Sequence, residues 1–363
     1  YPRGLLEALR GAPPGPVFYT GALENYPALI ARIERPLWGN SPEVLRAVRD
    51  PRRWTQALRD AGLPCPQIAP RDAGGGRWLV KPRRSGGGLG IRPFAISVSL
   101  PRGCFLQEQI DGAAVSALFL GNNGDATLIG VTRQLVGVDW LHAPPFGYAG
   151  NLGPLPLDAR TTSHWQRIGA TLAQRFGLRG LFGVDAIERD GVPWPVEINP
   201  RYTASVELFE RALGTPLLPL HRDAFDDNLE NLVPELRLGM QASKLRFESS
   251  KQTMPTPRGE TEFRGVGSQT EFGNQDLDQG LIQGKAILYA YERFTFPHEG
   301  PWLASLERDA ALDAIEYADV PHGGETMEAG TPVLTVFARG ATVHECEAML
   351  QEKARALDRL WRG

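Results

Sequence analysis

The sequence predicts an α+β protein of two to three domains, and three observations lead to this prediction. The chain has 363 residues, enough for that number of domains at about 150 residues each, with ample chain to bury a core. Short apolar runs typical of β-strands are interspersed with segments that carry helix start and stop signals. The 41 glycines and 30 prolines exceed the usual share and place many turns between these elements.

The composition excludes several classes of function. With 39 basic and 42 acidic residues the net charge is −3, so the chain offers no polybasic surface for nucleic acid or a membrane. No apolar run reaches the roughly 18 to 20 residues that span a bilayer, and we expect no signal segment at the start. We therefore expect neither a nucleic-acid nor a membrane partner, while a homo-oligomer is compatible with the sequence.

Three cysteines are scattered singly, at Cys65, Cys104 and Cys346. This spacing excludes a disulfide framework and a zinc site built from cysteine pairs. A reducing, cytoplasmic setting is the simplest expectation. Because the chain begins at Tyr1 rather than methionine, we also expect the first domain to be partial.

The first 62 residues predict a small α/β domain. A β-type run over Val17–Thr20 is followed by a short helix. Ser41 directly before Pro42 is a capping residue before a proline at the first helical position, which starts another helix. A further helix, roughly Pro51–Ala61, stops at a glycine before a proline-rich stretch. We therefore place a domain boundary between residues 62 and 63.

The rest of the chain predicts mainly strands. They are expected over residues 77–82, 104–108, 115–120, 126–136, 183–188 and 196–199, with one helix over about 164–176. Large apolar side chains are scarce from about Gln241 to Gln283, which predicts a mobile insertion. Character typical of β-strands returns at residues 286–289 and 332–337.

A glycine-rich loop follows the strand that contains Lys81. Four glycines within Ser85–Gly90 let successive backbone N–H groups turn toward one anion, and Lys81 supplies a positive charge. This combination suits a polyphosphate. A flexible turn between two strands is an equally good interpretation of the loop taken alone. The loop matches neither the dinucleotide-binding glycine fingerprint nor a P-loop.

Three oxygen ligands are expected to converge in a hairpin that turns near Asp190. Asp185 on one strand comes close to Glu197 on the other, and Glu197 shares a face with Asn199 because side chains alternate along a strand. Carboxylate and amide oxygens are ligands that Mg²⁺ prefers. An exposed hairpin with ordinary polar side chains is the alternative. The apolar neighbours of these residues favour a buried hairpin, where unpaired carboxylates are costly, so we prefer a metal site.

Four motifs in order resemble the ATP-grasp superfamily, from about Leu63 to Gly214. They are Lys81-Pro82 ahead of the glycine loop, Leu106 to Gly112, Gly183-Val184-Asp185, and Val196-Glu197-Ile198-Asn199-Pro200-Arg201. The last string and a β-rich tail are similar to the branch related to biotin carboxylase. Within that branch, the chain most resembles a group of predicted ATP-dependent carboligases.

The resemblance implies an ATP-grasp fold, in which two α+β lobes sandwich ATP. Residues 63–112 would form the small lobe with the glycine loop, and residues 113–235 the large lobe with the metal site. A partial N-terminal α/β domain over 1–62, a flexible insertion over 236–283 and a β-rich C-terminal domain over 284–363 would complete the chain.

The resemblance also implies roles for individual residues. Lys81 would contact phosphate, and the loop over the β- and γ-phosphates would consist of Ser85, Gly86, Gly87, Gly88 and Gly90. The segment that holds adenine would consist of Gln107, Glu108, Gln109 and Ile110. The Mg²⁺ ligands would be Asp185, Glu197 and Asn199, and Arg201 would steady a charged intermediate. Relatives often have an acidic residue for the ribose where this chain has Ala114, so the ribose-binding residue is unassigned.

Two further features are candidates for the acceptor region. Arg133 is a charge in an otherwise apolar strand, which a phosphate or carboxylate partner would explain, and which an exposed strand face would explain equally well. The loop Trp140–Gly150 combines aromatic residues, a histidine and turns, as substrate loops often do, although a loop packed on the core is an equal alternative. The other histidines show no ligand spacing and are expected on the surface.

The resemblance implies an ADP-forming carboxylate–amine ligase. ATP and Mg²⁺ would activate a small-molecule carboxylate as an acylphosphate, which an amine then attacks. No persuasive Ser/His/Asp or Cys/His set occurs, in agreement with a reaction that needs no protein nucleophile. Two alternatives stay open: a biotin carboxylase-like carboligase that uses bicarbonate, and a non-catalytic nucleotide-binding regulatory protein.

Overall fold

The computed structural model describes residues 2, 4–69, 76–95, 99–226, 281–306 and 314–362. The expected α+β class is confirmed, because helices and mainly antiparallel sheets form separate layers. Most of the predicted insertion over 236–283 lies outside the described residues. The strand that follows it begins at Ile282, so the boundary at residue 284 falls inside a strand.

The N-terminal layer is a two-stranded parallel sheet with small helices around it. Its elements are α1 (Leu5–Gly11), β1 (Val17–Phe18), α2 (Pro27–Ile30), β2 (Leu37–Trp38), α3 (Pro42–Val48) and α4 (Pro51–Asp60). The predicted start of α3 is confirmed, because the Ser41 side chain caps it, and Asp50 caps α4 in the same way. A 3₁₀ turn over Gly21–Asn25 follows β1 and ends in buried polar residues.

A small antiparallel sheet comes next along the chain. Its strands are β3 (Ile68–Ala69), β4 (Trp78–Pro82), β5 (Arg92–Pro93) and β6 (Cys104–Glu108), in the order β3-β6-β4-β5. Because β4 and β5 are paired neighbours, the glycine loop between them projects from one end of this sheet.

The largest layer is an eight-stranded sheet in which all neighbouring strands are antiparallel. Its strands are β7 (Ala113–Asn122), β8 (Asp125–Val136), β9 (Tyr148–Gly153), β10 (Gly180–Arg189), β11 (Val192–Asn199), β12 (Ile282–Tyr289), β14 (Tyr317–Ala318) and β16 (Pro332–Gly340). Their order is β11-β10-β7-β8-β9-β12-β16-β14, and a separate ribbon pairs β13 (Phe294–Thr295) with β15 (Thr326–Met327). The main strands of the C-terminal segment therefore extend the sheet of the central segment.

Helices cover this sheet. They are α5 (Ala159–Phe176), α6 (Val206–Leu213), α7 (Leu218–Asp223) and the C-terminal α8 (Val343–Arg362), with 3₁₀ turns at Asp139–Leu141 and Leu303–Leu306. The β-rich tail thus also contains a long helix that the sequence did not indicate. None of the helices within the described ranges combines the length and the apolar character that crossing a membrane requires.

Two local expectations are wrong. Helix α5 begins a turn before the predicted His164, because the Asp158 carboxylate accepts a hydrogen bond from the Thr161 amide at 2.6 Å and caps an earlier start. His221, expected on the surface, is buried. Its Nδ1 accepts a hydrogen bond from the Leu181 amide at 2.9 Å, so this histidine supports the packing of α7 on β10.

The main hydrophobic core lies between α5 and the large sheet. Phe119 on β7 and Phe182 on β10 stack with ring centroids 5.1 Å apart, and Trp165 of α5 is fully buried beside them. Gly169 of α5 faces Phe119 so closely that a Cβ atom would lie 2.4 Å from the ring atom Cε1. The helix approaches the sheet this closely because residue 169 has no side chain.

Replacing Gly169 by alanine should destabilise the protein, although alanine is the better helix former. Helix propensity alone would stabilise by about 1 kcal/mol, but the overlap with Phe119 forces a shift in a packed core that costs about 1–3 kcal/mol. We expect a net fall in the free energy of unfolding, measured by urea denaturation. Ser163→Ala, exposed on the same helix, is the control and should be neutral or slightly stabilising. A stabilised Gly169→Ala protein would contradict this packing.

Candidate active site

A cavity of about 260 Å³ lies between the small sheet and the large sheet. Lys81 lines it from the small sheet, and Arg201 lines it from the loop after β11. Asp185, Glu197 and Asn199, which we call the carboxylate–amide trio, line it from the large sheet. The structure therefore brings together residues from motifs that lie far apart in the sequence.

The hairpin of β10 and β11 carries the trio. Asp185 comes close to Glu197, as predicted, and a bulge immediately after Asp185 makes the two residues direct cross-strand partners. Asn199 donates from Nδ2 to Oδ2 of Asp185 at 2.9 Å. Ser116 Oγ and Gln134 Nε2 donate to Oδ1 of the same carboxylate at 2.7 and 3.0 Å. Asp185 is thus held in place by three neutral donors.

The two carboxylates have different electrostatic surroundings. Burial, followed by repulsion from Glu197, raises the pKa of Asp185 to about 6. Burial would raise the pKa of Glu197 as well, but the positive charges of Lys81 and Arg49 outweigh it, and the pKa of Glu197 is lower than usual. Glu197 is therefore well compensated, whereas the negative charge of Asp185 calls for a further cation.

The trio fits a divalent cation. Two carboxylates and a side-chain amide offer oxygen atoms within one cavity, which is the ligand chemistry that Mg²⁺ prefers. Among the described residues, no cluster of three or more histidine, cysteine and acidic side chains could hold a metal. A cation here would therefore depend on the amide oxygen of Asn199 and on ligands from outside the protein, as a nucleotide-bound Mg²⁺ does.

Two cations stand beside Glu197. Arg49, from the N-terminal layer, donates from Nη1 to Oε1 of Glu197 at 3.0 Å. Lys81 is buried, and its Nζ donates to Oε1 of Gln107 at 3.1 Å and to the Val196 carbonyl at 3.2 Å. Burial lowers the pKa of Lys81, while the carboxylates of the trio act in the opposite direction. The ammonium group is thus oriented by two neutral acceptors on the cavity wall.

The segment predicted to hold adenine lies along the cavity. Gln107, Glu108, Gln109 and Ile110 all line it. The buried Gln107 side chain donates from Nε2 to the Val196 carbonyl at 3.1 Å. The Glu108 carboxylate accepts a hydrogen bond from the Gln67 amide at 2.9 Å, so it is engaged within the small sheet. Ala114 also lines the cavity and provides no polar side chain for a ribose.

The middle of the glycine loop closes over the cavity. Gly87 and Gly88 line it, and the Gly87 carbonyl accepts a hydrogen bond from the Tyr148 amide at 3.1 Å. A Cβ atom on Gly88 would lie 1.8 Å from the carbonyl oxygen of Phe146, so only glycine permits this approach. The loop Trp140–Gly150, predicted as a substrate loop, is therefore the surface on which the glycine loop closes.

Other residues of the predicted loop lie outside the cavity wall. The Ser85 carbonyl accepts hydrogen bonds from the N-terminal layer, from Asn25 Nδ2 and from Arg49 Nη2, both at 3.3 Å. A Cβ atom on Gly86 would meet nothing within 4 Å, and Gly90 is adjacent to Pro82. The structure thus brings only part of the predicted loop to the cavity, and its first residue joins the N-terminal layer instead.

Arg201 is held by three acceptors. Its Nε donates to Oε1 of Glu24 at 2.9 Å, Nη1 to the Tyr202 carbonyl at 3.2 Å, and Nη2 to Oδ1 of Asn199 at 3.4 Å. A guanidinium group has five N–H donors. These three bonds therefore leave donors of Arg201 available to an anion in the cavity.

Arg133, predicted to meet a phosphate or carboxylate of the substrate, is not part of the cavity. It forms an ion pair with Glu347 of α8. Its neighbour Gln134 lines the cavity and donates to Asp185. Because consecutive side chains on a strand point to opposite faces, Arg133 lies on the other side of the sheet. Arg133 does have a carboxylate partner, as predicted, but that partner is Glu347 of the protein and not a substrate.

The sequence patterns did not indicate five side chains that bond with the predicted site residues. Glu24, Asn25 and Arg49 reach them from the N-terminal layer, Ser116 from β7 and Gln134 from β8. Each contacts a partner that is distant in sequence, which no local pattern reveals. Only Gln134 could have been found from the sequence, because it directly follows Arg133, which was predicted for the acceptor region.

Residues 48–205 match the family model of the ATP-grasp domain. This range contains the glycine loop, the segment expected to hold adenine, the trio and Arg201. The match confirms the resemblance found in the motifs.

Relatives and solved structures agree with this match. The large chain of carbamoyl phosphate synthase from Beutenbergia cavernae is 26% identical over 50% of this chain and 19% of that protein. The matches span only 19% to 25% of the curated relatives' own length. The match therefore does not assign the activity of those whole proteins to this chain.

Two solved structures share the fold across most of the chain. The L-amino acid ligase from Bacillus licheniformis has a TM-score of 0.60 at 14% identity, covering 94% of this chain and 78% of that one. The biotin carboxylase domain of 2-oxoglutarate carboxylase from Hydrogenobacter thermophilus, solved with MgADP, ADP and bicarbonate, has a TM-score of 0.58 at 13% identity, covering 93% and 72%. At this identity the similarity shows the fold alone.

Substitutions at Arg133 and Gln134 should separate stability from ligand binding. Arg133→Met leaves Glu347 without its partner, so we expect the free energy of unfolding to fall by about 1 kcal/mol, since the pair is partly exposed. Its affinity for Mg-ATP should be unchanged. Gln134→Met removes a donor to Asp185, so we expect weaker binding of Mg-ATP with a smaller change in stability. Urea denaturation and Mg-ATP titration measure the two effects, and weakened binding by Arg133→Met would contradict the placement of Arg133.

Proposed function

We propose that this chain, which has the ATP-grasp fold, is an ADP-forming ligase that activates a small-molecule carboxylate with Mg-ATP and joins it to an amine. The observation that carries the proposal is the convergence of the carboxylate–amide trio with Lys81 and Arg201 around one cavity. Oxygen ligands for a cation lie beside cationic side chains for anions. Phosphoryl transfer between two anionic substrates requires this combination.

The residues divide between the metal and the nucleotide. The trio would hold Mg²⁺, which when bound withdraws negative charge from the phosphates. Lys81 would bind phosphate oxygens, and the backbone at Gly87 and Gly88 would cover them. Adenine would lie against the segment Gln107–Ile110, which lines the same cavity.

The reaction has two steps. A carboxylate oxygen of the acid attacks the γ-phosphorus, the bond to the bridging oxygen breaks with its electron pair leaving on ADP, and an acylphosphate forms. The amine then attacks the acyl carbon, phosphate leaves with the electron pair, and the amine loses a proton. Because the first step joins two anions, Lys81 and Arg201 lower its barrier by compensating charge at fixed positions. Neither step requires a nucleophile from the protein.

Bicarbonate in place of an organic carboxylate is the second candidate. The fold shared with a biotin carboxylase domain that was solved with MgADP and bicarbonate favours it. The trio and Arg201 would serve bicarbonate in the same way, because it is also a carboxylate-like anion. The two candidates differ in whether bicarbonate alone supports ATP turnover.

The setting and partners follow from this chemistry. The substrates would be a small-molecule carboxylate and an amine, with no nucleic-acid partner. Three cysteines without disulfide bonds and the use of ATP support a cytoplasmic location. A homo-oligomer stays a prediction.

Measuring the products of ATP turnover with panels of acid–amine pairs tests the proposal. We expect ADP and phosphate in equal amounts, released only when both an acid and an amine are present. AMP and pyrophosphate as products would contradict the mechanism. Turnover that depends on bicarbonate without an organic acid would favour the carboligase.

In the same assay Glu197→Gln should lower turnover by about 10²- to 10³-fold, the effect of one lost electrostatic contact with a transition state. Glu188→Gln, on the same hairpin and away from the cavity wall, is the matched control and should stay close to wild type. If the wild-type protein binds Mg-ATP and shows no turnover with any pair, the non-catalytic regulatory protein becomes the better interpretation.

Gly88→Ala should weaken Mg-ATP binding without unfolding the protein. Residue 88 has a φ of +80°, and its Cβ would overlap the Phe146 carbonyl oxygen, so the loop could not close. We expect at least a tenfold loss of affinity, on the order of 1.4 kcal/mol, in an Mg-ATP titration.

Gly86→Ala is the matched control for this change, since a Cβ at residue 86 meets nothing within 4 Å. It should bind Mg-ATP nearly as the wild type does. Equal effects of the two substitutions would show that general loop stiffness, rather than the contact with Phe146, determines binding.

A further inference from the structure

Two consecutive residues of the N-terminal layer reach the active site from outside the segment that matches the ATP-grasp domain. Glu24 and Asn25 end the 3₁₀ turn Gly21–Asn25, and both are buried, Glu24 to 1% exposure. The matching segment begins only at residue 48. Carboxylates are almost never buried this completely unless they are paired, so the partner of Glu24 is informative.

That partner is Arg201. Nε of Arg201 donates to Oε1 of Glu24 at 2.9 Å, and the two side chains are 14% and 1% exposed. The Nη groups of Arg201 bond with the Tyr202 carbonyl and Asn199. Glu24 therefore fixes one edge of the planar guanidinium group, while the rest of the group lies on the cavity wall.

The burial of Glu24 is costly for packing alone. Its Oε2 is buried and has no hydrogen-bond partner among the described residues. The nearby Tyr19 hydroxyl donates to the Asn40 carbonyl at 2.9 Å rather than to Glu24. An apolar side chain would fill the same space at a lower cost. The cost is explained if the charge of Glu24 serves Arg201.

Asn25 has a corresponding position near Glu197, because it contacts Arg49, the arginine that pairs with Glu197. Its Oδ1 accepts a hydrogen bond from Nη2 of Arg49 at 2.7 Å, and Arg49 donates through Nη1 to Glu197 at 3.0 Å. The Nδ2 atom of Asn25 donates to the Ser85 carbonyl at 3.3 Å, where the glycine loop begins. One turn of the N-terminal layer is thus linked to the trio, the glycine loop and Arg201.

We propose that Glu24 and Asn25 are positioning residues of the active site: Glu24 orients Arg201 toward the anionic substrate, and Asn25 orients Arg49 against Glu197. The inference rests on the proposed function for the part that Arg201 plays in turnover, whereas the coupling of the residues does not depend on it. A guanidinium group fixed at Nε presents its other donors in one direction. It then stabilises developing charge without first reorganising.

A double-mutant cycle on urea unfolding tests the coupling without any substrate. Arg201→Met leaves the Glu24 carboxylate buried without its partner, and we expect the ratio of folded to unfolded protein to fall about 100-fold. Adding Glu24→Gln should restore about tenfold of that ratio, because a neutral amide replaces the unpaired charge. If the two substitutions instead multiply their separate effects, the residues are not coupled and the inference is overturned.

The matched control is the exposed pair of Glu43 and Arg46 in the same layer, whose nitrogen and oxygen atoms are 3.3 Å apart. Glu43→Gln and Arg46→Met should each change the folded ratio by about twofold or less, and their effects should multiply. Strong coupling in this pair would mean that any ion pair of the layer behaves as Glu24 and Arg201 do, which would overturn a special role for Glu24.

Turnover then separates positioning from packing. Glu24→Gln should lower kcat about 10- to 100-fold and leave KM for ATP within about twofold, because the substitution affects turnover only by displacing Arg201. In an Arg201→Lys background it should have little further effect. An unchanged kcat, or an equal further loss in that background, overturns the positioning role.

Failure of this inference and failure of the proposed function are distinguishable. If no acid–amine pair supports turnover, the proposed function fails, and the unfolding cycle still reports the coupling. In that case, solvent exchange of the Arg201 Nε proton by NMR reports its orientation directly. Slow exchange in the wild type that becomes fast in Glu24→Gln supports the inference, and equal exchange in both overturns it.

Discussion

The repulsion between two facing carboxylates is the interaction on which the rest of the site depends. A hairpin pairs Asp185 with Glu197, and repulsion between like charges is strong where both groups are partly shielded from water. Lys81 and Arg49 compensate Glu197, whereas neutral donors hold Asp185, and its pKa stays raised. The pair is tolerated only with positive charge supplied from elsewhere in the chain. The hairpin therefore constrains where the neighbouring segments can lie.

This constraint explains why separate parts of the chain meet at one cavity. Arg49 belongs to the N-terminal layer, Lys81 to the small sheet and Arg201 to the loop after β11. Each of these cations is fixed in turn by a second polar group, which is respectively Asn25, Gln107 and Glu24. Charges that are oriented before the substrates arrive reduce the reorganisation that a reaction between anions otherwise requires. The burial of so many polar side chains is thus intelligible as preparation of the cavity rather than as a source of stability.

Features formed by residues close together in the sequence could be predicted, whereas contacts between residues far apart in the sequence could not. That Asp185 comes close to Glu197 was predictable, because a short turn brings the two strands of a hairpin together. Their direct pairing was not, because the turn alone sets Asp185 opposite Val196, and the bulge after Asp185 shifts the partner to Glu197. The glycine loop was visible in the sequence because its glycines are adjacent, although only Gly87 and Gly88 of the predicted residues line the cavity. Arg133 was placed on the wrong face because its strand is covered on both sides, so the apolar pattern does not mark the face toward the cavity. Glu24 and Arg201 are 177 residues apart in the sequence, and the residues around each give no indication that the two are in contact.

The segments outside the ATP-grasp match also determine the opposite end of the cavity. Strand β12 pairs with β9, and the Tyr289 hydroxyl donates to the Tyr148 carbonyl at 2.8 Å. The Tyr148 amide in turn holds Gly87 of the glycine loop, so the C-terminal segment fixes the surface on which that loop closes. The N-terminal layer fixes Arg49 and Arg201 in a similar way. Residues 48–205 thus contribute the trio, Lys81 and Arg201 to the cavity wall, and the flanking segments set their positions. A substitution in a flanking segment would therefore move an oriented charge at the cavity without any change within residues 48–205, and a small shift of such a charge changes which anion it stabilises best.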